Sequence, residues 1–188
     1  MGLSLYRNIK KKIFEEGLVV DSSIFLVREM IQQIDFSQDL HILEIGSGKG
    51  VFTRKLAEKM SKGSRLDVCE IKTEFNPYIE KIARNHSDKK IAVFNDCVTE
   101  LWQSQVKYDV ILSSLPLKNF ESKADNNAFL TKVIQGVEGS LKEGGTYLQY
   151  QYFCSNKANI ENVFGKKMNN ISFVFLNILP AFVYSMTK

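Results

Sequence analysis

LEIGSGKG, residues 43–50, decides the fold. An apolar run ends in three glycines spaced two apart, Gly46, Gly48 and Gly50, and the helix-like VFTRKLAEKM follows at once. That order reads as strand, tight turn, helix. Glycine can take positive φ and lets a ligand approach the backbone, while the free N–H groups that open the next helix favour polar or anionic groups. The dinucleotide fingerprint G-x-G-x-x-G needs its third glycine at position 51, where the chain has Val51. NAD is therefore disfavoured.

Outward from this turn, strand-like segments alternate with segments of helical period, the pattern of a parallel sheet covered on both faces. Strands are expected at 41–46, 65–70, 90–95, 108–114 and 146–153, and helices near 49–61, 74–86, 97–105, 125–140 and 157–168. The tail ISFVFLNILPAFVYSMTK holds two apolar runs split by Asn177 and Pro180, which fits an antiparallel pair needing no crossover helix. The expected fold is α/β: a doubly wound, seven-stranded, mostly parallel sheet with an antiparallel C-terminal hairpin. Residues 1–188 read as one domain, with an N-terminal helical extension over 1–38 and a core over 39–188. In the extension, Leu3, Tyr6, Ile9, Ile13 and Phe14 recur near helical spacing among Arg7 and Lys10 to Lys12, giving an amphipathic helix over about 3–16. Such a helix can cover a core or lie on a lipid surface. A second helix is expected to start at Asp21, Ser22 or Ser23, all good N-cap types, and to run through IFLVREMIQQI.

Composition sets the bounds. The 188 residues, 44% hydrophobic and 24% charged, suit one compact domain, and no apolar stretch is long enough to span a bilayer. A cytoplasmic protein is the expectation. Cys69, Cys97 and Cys154 are odd in number and lack C-x-x-C spacing, and only His41 and His86 are present, so neither a disulfide framework nor a metal site is expected. The net charge of +4 favours an anionic partner without naming it.

In a doubly wound sheet the ligand lies outside the carboxyl ends of the strands. Polar residues recur there: Glu44 in the glycine motif, Glu70 after strand two, Asn95 and Asp96 after strand three, and Ser113 to Pro116 after strand four. An acid about 20 residues past the glycines can accept both hydroxyls of a ribose. Glu70 has that place, and Asp96 can meet an adenine amine beside the backbone of Cys97. Each acid alone could be an ordinary cap or turn residue; together they point to a bound adenosine.

With EIGSGKG and a strand-end acid, the sequence resembles the class I S-adenosylmethionine-dependent methyltransferases over residues 40–188. The resemblance implies S-adenosylmethionine as cofactor, its demethylated product S-adenosylhomocysteine, and no metal. The implied cofactor set is Glu44, Gly46, Ser47, Gly48, Gly50, Glu70, Ile71, Asp96, Cys97 and Ser113.

The acceptor is read from SLPL, residues 114–117. Its Leu-Pro resembles the N-L-P-Y of the rRNA adenine dimethylases, with Ser114 for Asn and Leu117 for the stacking aromatic. Losing that ring forfeits about 1–3 kcal/mol of base stacking. A wider likeness, to the short bacterial phospholipid N-methyltransferases, rests on VVDSSIFLVREM (19–30), the glycine motif, YDVILSSLPLKNF (108–120), GGTYLQYQYFCS (144–155) and NILPAFVY (177–184). It implies N-methylation of phosphatidylethanolamine or a related amino lipid, attachment of the amphipathic helix to an anionic membrane surface on the inner face, and no nucleic acid. Methylation of rRNA adenine or of a small soluble amine is the alternative, and a nonenzymatic cofactor-binding protein a third reading. Ser114, Leu115 and Pro116 are expected to orient the amine, whose proton leaves to water or to a phenol such as Tyr150 or Tyr152, and Lys118 either meets a lipid phosphate or is a solvated loop lysine.

Overall fold

The structure is a computed structural model describing residues 23–177 and 179–188. The amphipathic helix expected over 3–16 lies outside the described residues. The chain runs α1 (Ile24–Ile31), β1 (His41–Ile45), α2 (Val51–Lys59), β2 (Arg65–Cys69), α3 (Asn76–Asn85), β3 (Lys90–Phe94), α4 (Val98–Leu101), β4 (Tyr108–Ser113), α5 (Ala128–Ser140), β5 (Leu141–Gln151), α6 (Lys157–Phe164), β6 (Asn170–Val174) and β7 (Ala181–Thr187). One seven-stranded sheet has the order β3-β2-β1-β4-β5-β7-β6. β1 pairs in parallel with β2 and β4, β2 with β3, and β4 with β5; β7 runs antiparallel to both β5 and β6. The fold is the α/β architecture the sequence pattern called for.

β1 reads HILEI and is buried along almost its whole length, as a central parallel strand with both faces covered must be. Alternate residues divide between two cores. Ile42, Leu66, Val110 and Leu148 face α1, α2 and α3, with Leu26, Phe52 and Ile79. Leu43, Cys69, Ile111 and Tyr147 face α4, α5 and α6, with Val98, Ile134 and Ile160. The strand order reverses between β1 and β4, so their carboxyl ends open a crevice at which a ligand can bind.

Several boundaries differ from the sequence expectation. Ser23 caps α1, its hydroxyl accepting from Leu26 N–H, but the helix ends at Ile31. The helix expected over 97–105 is one turn of α4 followed by a 3-10 turn, Trp102–Ser104. α5 starts at Ala128 because Asn126 and Asn127 hold positive φ just before it. β5 begins at Leu141, and its pairing with β4 jumps from Tyr108↔Leu141 to Val110↔Thr146. Residues 142–145 therefore bulge, with Gly144 at φ 77° supplying the left-handed turn.

Candidate active site

The turn between β1 and α2 is built on backbone that only glycine adopts freely. Gly46, Gly48 and Gly50 have φ of 75°, 52° and 76°. Their surroundings give them different duties. A Cβ on Gly46 would stand 3.7 Å from Leu115 and Ser114, at the crevice. One on Gly50 would collide with the Ile79 and Ile82 side chains at 2.7 and 2.6 Å, so this glycine admits α3 rather than a ligand.

Glu70, just past β2 and 6% exposed, closes on this turn. One carboxylate oxygen accepts from Gly48 N–H at 2.8 Å and the other from Lys72 N–H at 2.9 Å. Each carboxylate oxygen has a second acceptor site, so the pair can still receive two hydroxyls. Glu44 is oriented differently. It is fully buried, one oxygen accepts from the Thr53 hydroxyl of α2 at 2.7 Å, and Oε1 has no partner. Burial pushes its carboxyl up to about 8, against the hydrogen bond from Thr53 that lowers it. Ser47 Oγ in the turn is also buried and unpartnered. Two orphaned polar atoms beside three bare glycines are what a polar ligand end would satisfy.

A cavity of about 330 Å³ opens at the strand ends, bounded by Ile45 at the end of β1 with Gly46 beyond it, Cys69 at the end of β2 with Glu70 and Ile71 beyond it, and Asp96 and Cys97 after β3. Its wall is mostly apolar, and Ile71 stands 64% exposed at its edge. Three aromatic residues that the sequence reading left out also line it: Phe75, Phe120 and Phe129, the last two meeting edge to face at 5.2 Å between ring centres. The signal was present in KNFESKADNNAFL, but only folding brings the two rings together. Glu70 and Asp96 at the edge of this apolar slot fit an adenosine, while the buried Glu44 and Ser47 belong to the glycine turn beside it and do not line it. Among the described residues no group of three or more His, Cys, Asp or Glu side chains is placed to hold a metal ion.

Past β4, Ser114 N–H donates to Ile45 carbonyl, joining the turn to β1, and the buried Ser113 hydroxyl accepts from Leu115 N–H. Ser114, Leu115 and Pro116 line the cavity. Leu117 is wholly buried in the core beneath α5, so its side chain offers nothing to a bound base. Lys118 pairs with Glu121 at 2.6 Å. Tyr150 is placed apart from the expected acceptor group: its ring packs on Phe52 of α2, 6.0 Å between centres, on the sheet face opposite the cavity. The residues of β5 that do reach SLPL are Gln149 and Gln151, whose amide nitrogens donate to the Leu115 carbonyl at 3.0 and 3.2 Å. They were legible as a puzzle in TYLQYQYF, two glutamines sharing one face of an otherwise buried strand.

Residues 11–130 match the family described as Ribosomal RNA adenine dimethylase. Ribosomal RNA small subunit methyltransferase A of Mycoplasma capricolum is 28% identical over 110 residues, covering 56% of this chain and 39% of that relative. The chain thus aligns with about two fifths of that relative's length. Among solved structures, precorrin-6y C5,15-methyltransferase of Geobacter metallireducens superposes with a TM-score of 0.69 at 12% identity over 87% of this chain and 88% of that chain. A methyltransferase of Pyrococcus furiosus superposes at 0.59 and 15% identity over 100% and 99%. At such identities the structural likeness establishes the fold alone, one shared with these methyltransferases. The family match overturns three expectations together: an amino-phospholipid acceptor, an anionic membrane surface as partner, and the exclusion of nucleic acid. By a match that takes in the glycine turn, the acid after β2 and the SLPL turn, the chain belongs to the ribosomal RNA adenine dimethylase family.

Proposed function

We propose that the chain is an S-adenosylmethionine-dependent methyltransferase acting on the exocyclic amine of adenine in RNA. The observation that carries this reading is the family match across residues 11–130, which includes both the cofactor turn and the acceptor turn. Glu70 and Asp96 would hold the cofactor's ribose and adenine, Ile71 and the Phe120–Phe129 pair would enclose the ring, and Glu44 with Ser47 would meet its amino-acid end. S-adenosylmethionine, when bound, supplies a methyl group activated by its sulfonium, so that the amine nitrogen gains a C–N bond as the S–C bond breaks and one amine proton passes to solvent.

The rest is positioning, which the protein supplies from rigid strand ends. Ser114 lines the cavity and is tied to β1 through its N–H, and its hydroxyl would be the acceptor for an amine hydrogen there. The apolar wall excludes water and strengthens that hydrogen bond.

The test is transfer of labelled methyl groups to small-subunit ribosomal RNA, followed by digestion to nucleosides. Label is expected in N6-methylated adenosine, and Ser114→Ala is expected to lower kcat about tenfold or more while leaving S-adenosylhomocysteine affinity unchanged. Label confined to other nucleosides, or none in RNA despite tight S-adenosylhomocysteine binding, rules the reading out.

A further inference from the structure

The carbonyl of Leu115 has three donors on it. Leu117 N–H reaches it at 2.9 Å within the turn, and the amides of Gln149 and Gln151 reach it at 3.0 and 3.2 Å from β5. A carbonyl oxygen offers two lone pairs, so this one is saturated and has nothing left for the amine of an incoming base. The two glutamines are almost wholly buried, at 0% and 5% exposure. Gln149 is itself locked: its oxygen accepts from the Tyr147 hydroxyl at 2.7 Å, and its nitrogen also donates to the Tyr150 carbonyl at 2.6 Å.

Buried amides of this kind cost stability unless satisfied. A leucine or valine at either place would pack the strand without that demand, so the amides have a use beyond filling space. Their common target is one atom at the second position of SLPL, between the serine that faces the cavity and a proline that has no N–H of its own. The turn is therefore held from the neighbouring strand as well as by its own backbone.

Resting on the reading above that the acceptor is an amine at this turn, we infer that Gln149 and Gln151 are positioning residues for methyl transfer. They hold the Leu115 carbonyl toward β5 and so fix the turn on which Ser114 sits. They touch neither cofactor nor substrate and act through the turn.

The test uses Gln149→Met and Gln151→Met, singly and together, which keep side-chain length and remove the amide. Gln151→Glu keeps the shape and an oxygen but cannot donate when ionised. Three quantities are read: hydrogen exchange at Leu117 N–H, which rests on the same carbonyl; S-adenosylhomocysteine affinity by calorimetry; and kcat and KM with RNA. The double variant is expected to exchange at Leu117 about tenfold faster or more, to bind S-adenosylhomocysteine within about twofold of the parent, and to lose at least about tenfold in kcat with KM little changed. Gln151→Glu is expected to follow Gln151→Met in both exchange and kcat. Unchanged exchange at Leu117 overturns the inference whether or not the parent methylates RNA, and so does accelerated exchange with undiminished kcat. A parent protein inactive on RNA, with exchange accelerated as expected in the variants, supports the clamp on the turn and removes the RNA reading instead.

Discussion

Glu70 accepts from two backbone N–H groups, whereas Glu44 is buried with one oxygen on Thr53 and the other on nothing. The two carboxylates therefore respond to change in different ways. Glu44 is raised from 4.5 to about 8, so the folded, cofactor-free protein holds a proton that the unfolded chain releases. The corresponding stability is fully present below about pH 4.5 and is lost as pH rises through 8. Within that window the loss runs at up to about 1.4 kcal/mol for each step of one in pH. Urea unfolding without cofactor should therefore show a decline from about pH 5 to about pH 8 in the parent protein that Glu44→Gln flattens; equal slopes in the two proteins would refute the assignment. For Glu70 the prediction concerns the ligand. Glu70→Ala removes the anchor of Gly48 N–H and the acceptors set for a ribose, and should weaken S-adenosylhomocysteine binding by about tenfold or more in calorimetry.

At the level of the elements, the glycines distinguish backbone demand from indifference. Gly50 opens α2 at φ 76° against Ile79 and Ile82 of α3, so Gly50→Ala combines a strained backbone with a collision and should cost about 2–4 kcal/mol in chemical denaturation. Gly139, inside α5, has nothing within 4 Å of the place a Cβ would take. Gly139→Ala should stabilise by up to about 1 kcal/mol, since only helix propensity changes. The sequence showed both as glycines in or near helices. Their opposite weights depend on whether another helix packs over them: at Gly50 this is decided by Ile79 and Ile82, some thirty positions away, and at Gly139 no side chain does so.

For the whole molecule, the sheet order places β1 and β4 at the centre and β3 and β6 at the edges. Native-state hydrogen exchange should be slowest in β1 and β4 and fastest in the two edge strands, β6 above all, where Ile171 and Phe173 remain exposed. Equal protection across the sheet would contradict that arrangement. The same order explains how one cavity collects residues from the ends of three parallel strands, β1, β2 and β4, and from the loop after β3. It also explains why the α5 region contributes Phe129 to a site whose glycines lie some eighty residues earlier.

The sequence by itself determined the strand and helix alternation, the reversed final strand, the glycine turn and the acid that meets it, because each depends on periodicity or on spacing along a short stretch of chain. EIGSGKG and Glu70 could be read together from a fixed interval, and the hydrogen bond from Gly48 to Glu70 realises that interval in space. Only the tertiary structure decided what surrounds the acceptor turn. Leu117 is turned into the core, Tyr150 lies across the sheet, and Gln149 and Gln151 reach Leu115 over gaps of 34 and 36 residues. Convergence of that kind is set by sheet register and packing, which no local pattern records; the class of cofactor was therefore legible before folding was considered, and the surroundings of the acceptor were not.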